Sequence, residues 1–439
     1  MDLIFGVFGS AAEQIVSLFF ILFGIAVAFL VGRFFFKFLK EWWLDEVQDR
    51  YAAGITYVLL ELKFPKTNMT FPKGMEQVFA NFYQVYSFGI KPEKKWLEGQ
   101  FEEKFSVEMV SSRDGIRFFV RVNKNYRQLV ETAVFSQYPD VEISECEKDY
   151  VDEFPKDLPN EEYDIMGTDM ILGRDSVYPI RTYPYFFGER KFEEMEIDPI
   201  SALAEAMSEL KTDEKIWIQI LISPAGTDLK KAADKVIAKM TGKKEEKKES
   251  GLIPGTFEFA KNLVAAPVRP PEWSSASVSE DKPKSLGPIE SEIVKAIDRK
   301  SSKLAFETMI RLVYIDKRND FTKSNFSTIV STFQQFNTQN LNFLRPASLT
   351  YTKSNRFFFK KSGLVKKKER VYSHYIQRSF STLTNVEAMF KKYVPTYFMN
   401  IEELATIFHP PITKVSATGL RSIDTKKGAP PSNLPIESL

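Results

Sequence analysis

Cysteine and histidine are almost missing from this 439-residue chain, which has one cysteine, Cys146, and two histidines, His374 and His409. No disulfide framework can form within one chain, which suits a reducing compartment. The count also excludes a zinc cage of Cys and His ligands. None of the 20 glycines fits the phosphate-cradling pattern G-x-x-x-x-G-K-[ST], and no G-x-G-x-x-G opens a helix after a strand. A calcium loop of the D-x-D-x-D-G kind is absent as well. Nor is there an excess of one charge: 60 basic against 58 acidic residues leave a formal charge of +2, so no whole-chain electrostatic argument for nucleic acid exists. Neither histidine has a nucleophile or carboxylate partner by spacing. His409, before Pro410 and Pro411, reads as a contact with a helix dipole, and His374 as packing. The expectation is a protein that is not an enzyme, with no cofactor, no metal site and no catalytic residues.

Long hydrophobic runs are represented by one segment. From Gln14 to Gly32 there is no charge, and the run extends through Phe34, Phe35 and Phe36. About 20 apolar residues span a bilayer core as a helix. Asp2 and Glu13 precede it; Arg33, Lys37, Lys40, Trp42 and Trp43 follow. Basic residues flank the cytoplasmic end and tryptophans favour the interface. The prediction is therefore a single-pass anchor over residues 1–44 in the inner (cell) membrane, with the N-terminus outside and the bulk of the chain cytoplasmic. A cleaved signal peptide needs a basic start and a small-residue exit, and neither is present.

Beyond the anchor, hydrophobic periodicity predicts β-α-β-β-α-β over residues 45–150: strands at 55–64, 104–110, 116–122 and 141–147, with helices at 74–86 and 126–138. Asp114-Gly115 supplies hairpin chemistry. This is the ferredoxin-like order. "DGIRFFVRV" resembles an RNA-recognition strand at Gly115, Phe119 and Val120, but Ile116 stands where an aromatic is expected, so Phe119 is expected to pack against a neighbour. A second α+β unit begins with residues 151–242: a strand within 167–183 broken at Gly173, a helix capped by Asp198 before Pro199, the strand "KIWIQILIS", and a helix over 229–240. Residues 243–288, charged and then Pro/Ser-rich, read as a flexible insertion with a short structured piece near 257–264. The second half of that unit, residues 289–399, resumes with a helix to 303, the strand "AFETMIRLVYID", a helix bearing Phe326, Ile329, Val330, Phe333 and Phe336, and a strand near 347–352. The fold class is thus α+β: one transmembrane helix and two ferredoxin-like units, the second interrupted.

Two stretches carry candidate function. Residues 353–370, "KSNRFFFKKSGLVKKKER", place Lys353, Arg356, Lys360, Lys361, Lys366, Lys367, Lys368 and Arg370 around three phenylalanines. Basic residues interleaved with aromatics suit single-stranded nucleic acid or an anionic membrane face. The plain alternative is a solvated lysine-rich loop with an apolar strand inside it. In residues 400–439, a short helix and Pro-rich tail, Asn400 and Glu403 form a capping pair and Pro410 and Pro411 a stop.

The phrases "MEQVFANFY", "FSVEMVSSRDGIRFFVRV", "LVETAVFSQYPDVEI", "DPISALAEAMSELKTDEKIWIQILISP" and "NIEELATIFHPP" with "KKGAPPSNLP" make the chain resemble the membrane-anchored N-terminal module of type IV secretion and conjugation ATPases of the VirB4/TraG-like, FtsK–HerA class, known mainly from genomes of small uncultivated bacteria. In such proteins a segment like 400–435 leads into the motor. The resemblance stops where the P-loop would begin, and so implies a non-catalytic adaptor docking a separate P-loop ATPase, or the front of a longer motor. Asn400, Glu403, Leu404, Ile407, Phe408 and Pro410 are the docking candidates it implies. Nucleic acid and further copies of the chain are the other partners to test.

Overall fold

A computed structural model describes residues 2–65, 70–112, 115–187, 198–208, 210–211, 213–242, 286–353, 360–380 and 394–412. Helix α1 (Asp2–Ala53) is continuous for 52 residues. Its stretch from Leu18 has a mean hydropathy of 2.4 in its most apolar window, and none of that window is buried against the rest of the chain. Phe19, Phe20, Phe29 and Phe36 are all more than 60% exposed. The helix is long and apolar enough to cross a membrane.

Nine strands form one antiparallel sheet: β1 (Tyr57–Lys63), β2 (Phe105–Ser112), β3 (Gly115–Asn123), β4 (Glu142–Glu145), β5 (Tyr163–Leu172), β6 (Lys215–Pro224), β7 (Ala305–Lys317), β8 (Leu344–Pro346) and β9 (Tyr397–Asn400). Their spatial order is β4-β1-β3-β2-β6-β7-β5-β8, with β9 pairing the start of β7. The two predicted units therefore do not stand apart. β2 and β6, the outer strands of the two halves, pair with Phe105 opposite Ile222 and Val110 opposite Trp217, fusing them into one sheet. Across the join, Val107, Met109, Ile218 and Ile220 share one apolar face, while Val110 and Trp217 share the other with the buried polar Glu108 and Gln219.

One face is covered by α2 (Pro72–Phe82), α3 (Arg127–Gln137), α5 (Ser201–Ser208), α8 (Lys323–Thr332) and α10 (Ile401–Ile407), over a core that includes Phe79, Phe82, Val134, Met207, Phe326 and Leu404. Each such side chain contributes on the order of 1.5–3 kcal/mol by leaving water. The other face is covered by α9 (Lys360–Gln377) and the segment 150–158, packed on Phe119, Trp217 and Val313. A short helix, α4 (Pro184–Phe187), precedes α5; α6 (Asp228–Thr241) and α7 (Pro288–Ser301) pack beside Val177 and Ala305. α6 ends at Gly242, which has φ +74°, a conformation that glycine adopts without strain.

Several expectations shift by a few residues. The first strand of the second half is Tyr163–Leu172 and stops before Gly173, where an added Cβ would collide with the Phe343 ring. The last predicted strand lies at Leu344–Pro346 instead of 347–352, although the Ala347 and Thr352 amides still donate to Asp169 and Gly167 carbonyls. The basic stretch, for which a loop with an inner strand is the plain alternative reading, is from Lys360 onward helix α9. The tip of the β2–β3 hairpin, the piece near 257–264 and the tail after Ile412 lie outside the described residues.

Candidate functional site

The sheet carries a line of polar residues at its centre. Register places Glu108 of β2 opposite Gln219 of β6, Gln219 opposite Arg311 of β7, and Arg311 opposite Asp169 of β5. All four are completely buried. An isolated charge there would be prohibitive, so each must find partners. Arg311 Nε donates to Asp169 Oδ1 at 2.7 Å and its Nη1 to Gln219 Oε1 at 3.3 Å; Gln219 Nε2 donates to Glu108 Oε1 at 3.2 Å. The bonds run unbroken across the seam between the halves.

The end of α9 completes the line. The carbonyls of His374 and Ser379 accept from Arg311 at 2.7 and 3.2 Å, and that of Tyr375 accepts from Gln219 at 3.0 Å. A helix C-terminus, with its unpaired carbonyls and negative dipole end, suits a buried guanidinium. Arg378, at φ +51°, reaches back to donate to Glu108 at 2.6 Å and Asp149 at 2.7 Å. Burial alone raises the Glu108 carboxyl; Arg378, with bonds from Ser106 and Tyr150, outweighs it and holds Glu108 below the ordinary carboxylate range. Burial and Glu108 push the phenols of Tyr150 and Tyr375 well up, so both stay protonated.

Phe119 stands beside Glu108 in the register, fully buried and stacked on Tyr150 at 5.1 Å. It is not displayed for a base, and it packs under a neighbouring segment.

The basic stretch is partly built into the structure. Lys368 is buried and paired with Asp164 at 2.6 Å, and Lys367 donates to the Ser348 carbonyl at 2.9 Å, its ammonium pushed down by burial. Lys353, Lys366 and Arg370 are exposed. Lys360 and Lys361 lie in α9's first turn, and Arg356 with the three phenylalanines falls outside the described residues. Periodicity hides the helix because its inward stripe of Val371, Tyr372 and Tyr375 includes Lys368.

The capping pair forms as expected: the Glu403 amide donates to Asn400 Oδ1 at 2.9 Å and the Asn400 amide to Glu403 Oε2 at 3.0 Å. The six docking candidates of this segment, however, are interior. Asn400, Glu403, Leu404, Ile407, Phe408 and Pro410 are all buried in the chain's own core, which corrects the expectation that they face another protein. Glu403 pairs with Lys300 at 2.9 Å, both side chains fully enclosed. Lys303 holds Glu402 of α10 and Glu76 of α2, each at 2.6 Å. His409 makes more than a dipole contact. Its Nε2 lies 2.9 Å from Asp198 Oδ1 and its Nδ1 2.8 Å from the Ala405 carbonyl. Asp198, predicted as a helix cap, also accepts from the amides of Ile200 and Ile412 at 2.9 Å each. Spacing gave no sign of these pairings, because the partners lie 103 and 211 residues apart.

Clefts open at the surface among the described residues. One of about 560 Å³ lies between α7 and residues 338–341, with Glu292, Lys295 and Arg299 at its rim. Another, of about 390 Å³ at the foot of α1, holds Lys104, whose ammonium burial pushes down. No group of three or more His, Cys, Asp or Glu suited to a metal occurs among the described residues. Burial pushes the Cys146 thiol up, which disfavours the reactive thiolate.

The model of one family, described as "Domain of unknown function (DUF8128)", matches residues 73–392. The chain belongs to this DUF8128 family. The match runs from the first turn of α2 to just before β9. β1, which lies between β4 and β3, and α10, which closes the helical face, fall outside it, although the sheet contains both. No curated protein matches the chain.

Proposed function

We propose that this DUF8128 protein is a single-pass, membrane-anchored, non-catalytic scaffold that holds a rigid α/β platform at the inner face of the cell membrane and docks a separate motor ATPase of the type IV secretion or conjugation kind. The observation that carries the reading is the continuity of α1. One unbroken helix leads from the exposed apolar span into the fold, where Leu44 and Val47 are buried. Force or position at the membrane is thereby transmitted to the sheet without a flexible linker. The polar line across the seam supports the same reading: its charges are paired with one another and enclosed, which joins the halves. Each half is read as ferredoxin-like, supported by the orders β4-β1-β3-β2 and β8-β5-β7-β6, the same permutation twice.

Because α10 is interior, docking is assigned to the chain after Ile412, whose starting point the Asp198–Ile412 bond fixes. Mild crosslinking in native membranes, purification of the chain and mass spectrometry test this. A P-loop ATPase linked to residues 413–439 is the expected result; repeated recovery without any ATPase contradicts it.

A further inference from the structure

The segment from Tyr86 to Gln100 is an unusual surface. Phe88 is 91% exposed and held at φ +57°, a backbone state that a bulky residue adopts at a cost, and Leu97 is 72% exposed. Lys91, Lys94 and Lys95, all exposed, share the segment with Glu93 and Glu98. This surface is fastened to α1. Trp43 Nε1 donates to the Trp96 carbonyl at 2.8 Å, and the Lys40 ammonium lies 4.4 Å from the centre of the Trp96 ring. Gly99, at φ +73°, lies so close to the Val47 carbonyl that no side chain fits.

The attachment sets the depth. Lys40 follows Phe36, the end of the apolar run, by four residues, about 6 Å along a helix. The headgroup layer on each side of the hydrocarbon core is about 5–7 Å thick. The Trp96 ring is therefore held at headgroup level, with the Lys95 ammonium 5.9 Å from its centre and the exposed Leu97 next to it in the chain. Tryptophan prefers that layer, and lysines favour the anionic inner leaflet.

We infer that Tyr86–Gln100 is a second membrane contact, in which Phe88 and Leu97 enter the interface and Lys91, Lys94 and Lys95 meet anionic lipid headgroups of the bilayer that α1 crosses. The inference rests on the anchor reading. It makes α1 and this segment two points of contact, which fixes the tilt of the sheet relative to the membrane.

The test uses the full chain in vesicles of phosphatidylcholine, with and without phosphatidylserine. Leu97→Cys or Phe88→Cys, each in a Cys146→Ser background, carries an environment-sensitive fluorophore; Ser327→Cys on α8 is the reference. Expected are a blue shift and quenching by headgroup-level nitroxide lipid at both segment positions, stronger with phosphatidylserine and weakened by salt, while position 327 stays water-like. Each lysine near an anionic surface biases contact roughly fivefold, so the charge-neutralising Lys91→Gln, Lys94→Gln and Lys95→Gln together weaken the phosphatidylserine preference on the order of a hundredfold. Water-like labels at 88 and 97 in a protein that stays with the vesicles through an alkaline wash overturn this inference and leave the anchor standing. Loss of the protein in that wash overturns both.

Discussion

Lys300 and Glu403 illustrate how single residues hold the molecule together. Both are fully enclosed, and burial pushes the Lys300 ammonium down while Glu403 opposes the shift. Lys300→Met leaves a buried carboxylate without its cation and is expected to cost about 3–5 kcal/mol. Adding Glu403→Gln, which keeps an acceptor for the Asn400 cap, is expected to recover a good part of that loss. Chemical denaturation of the chain checks both, and a double variant no more stable than the single one contradicts the pairing. Acid acts on the same kind of group. Glu108, Asp198 and Glu402 are each pushed up by burial, but their partners, chiefly Arg378, His409 and Lys303, more than reverse this and hold them low. A carboxyl whose folded pKa is depressed stabilises the fold above its unfolded value, about 4, and loses that contribution as pH falls through the folded value. Thermal unfolding should therefore be nearly flat above about pH 5 and fall steeply below about pH 4. These pairings were not legible in the sequence. Alternation assigns Glu108 and Gln219 a face, but not the cation that Arg378 brings from 270 residues away.

At the scale of elements, periodicity succeeded wherever one face is apolar. Ile216, Ile218, Ile220 and Ile222 on β6, and Phe105, Val107 and Met109 on β2, point where their alternation puts them. It failed for α9, where Lys368 interrupts the stripe, and for α10, whose capping box was plain while its burial under α2 and α7 was not. Caps are local, whereas burial depends on chain from elsewhere. The junction of α1 with residues 94–99 makes an element-scale prediction. Gly99→Ala forces a side chain against the Val47 carbonyl in a left-handed backbone, a strain of about 1–3 kcal/mol. Limited proteolysis should cut between Lys91 and Gln100 several times faster in the variant while the sheet stays intact; an unchanged cutting rate contradicts the clamp.

For the whole molecule, the central claim is a platform on one side of a membrane with a single crossing by α1. The proposed orientation comes from the flanking charges in the sequence, and the continuous helix is the element that would carry it to the sheet. That the two halves share one sheet was not readable, because β2 and β6 carry the same pattern whether they pair with each other or with another chain. The most direct test is side-specific labelling in sealed native vesicles of both orientations. The variants are Asp2→Cys and Ser327→Cys, each with Cys146→Ser, and the reagent is a membrane-impermeant maleimide. The account predicts that position 2 reacts only from the outer side and position 327 only from the cytoplasmic side. Reaction of both positions from the same side contradicts it.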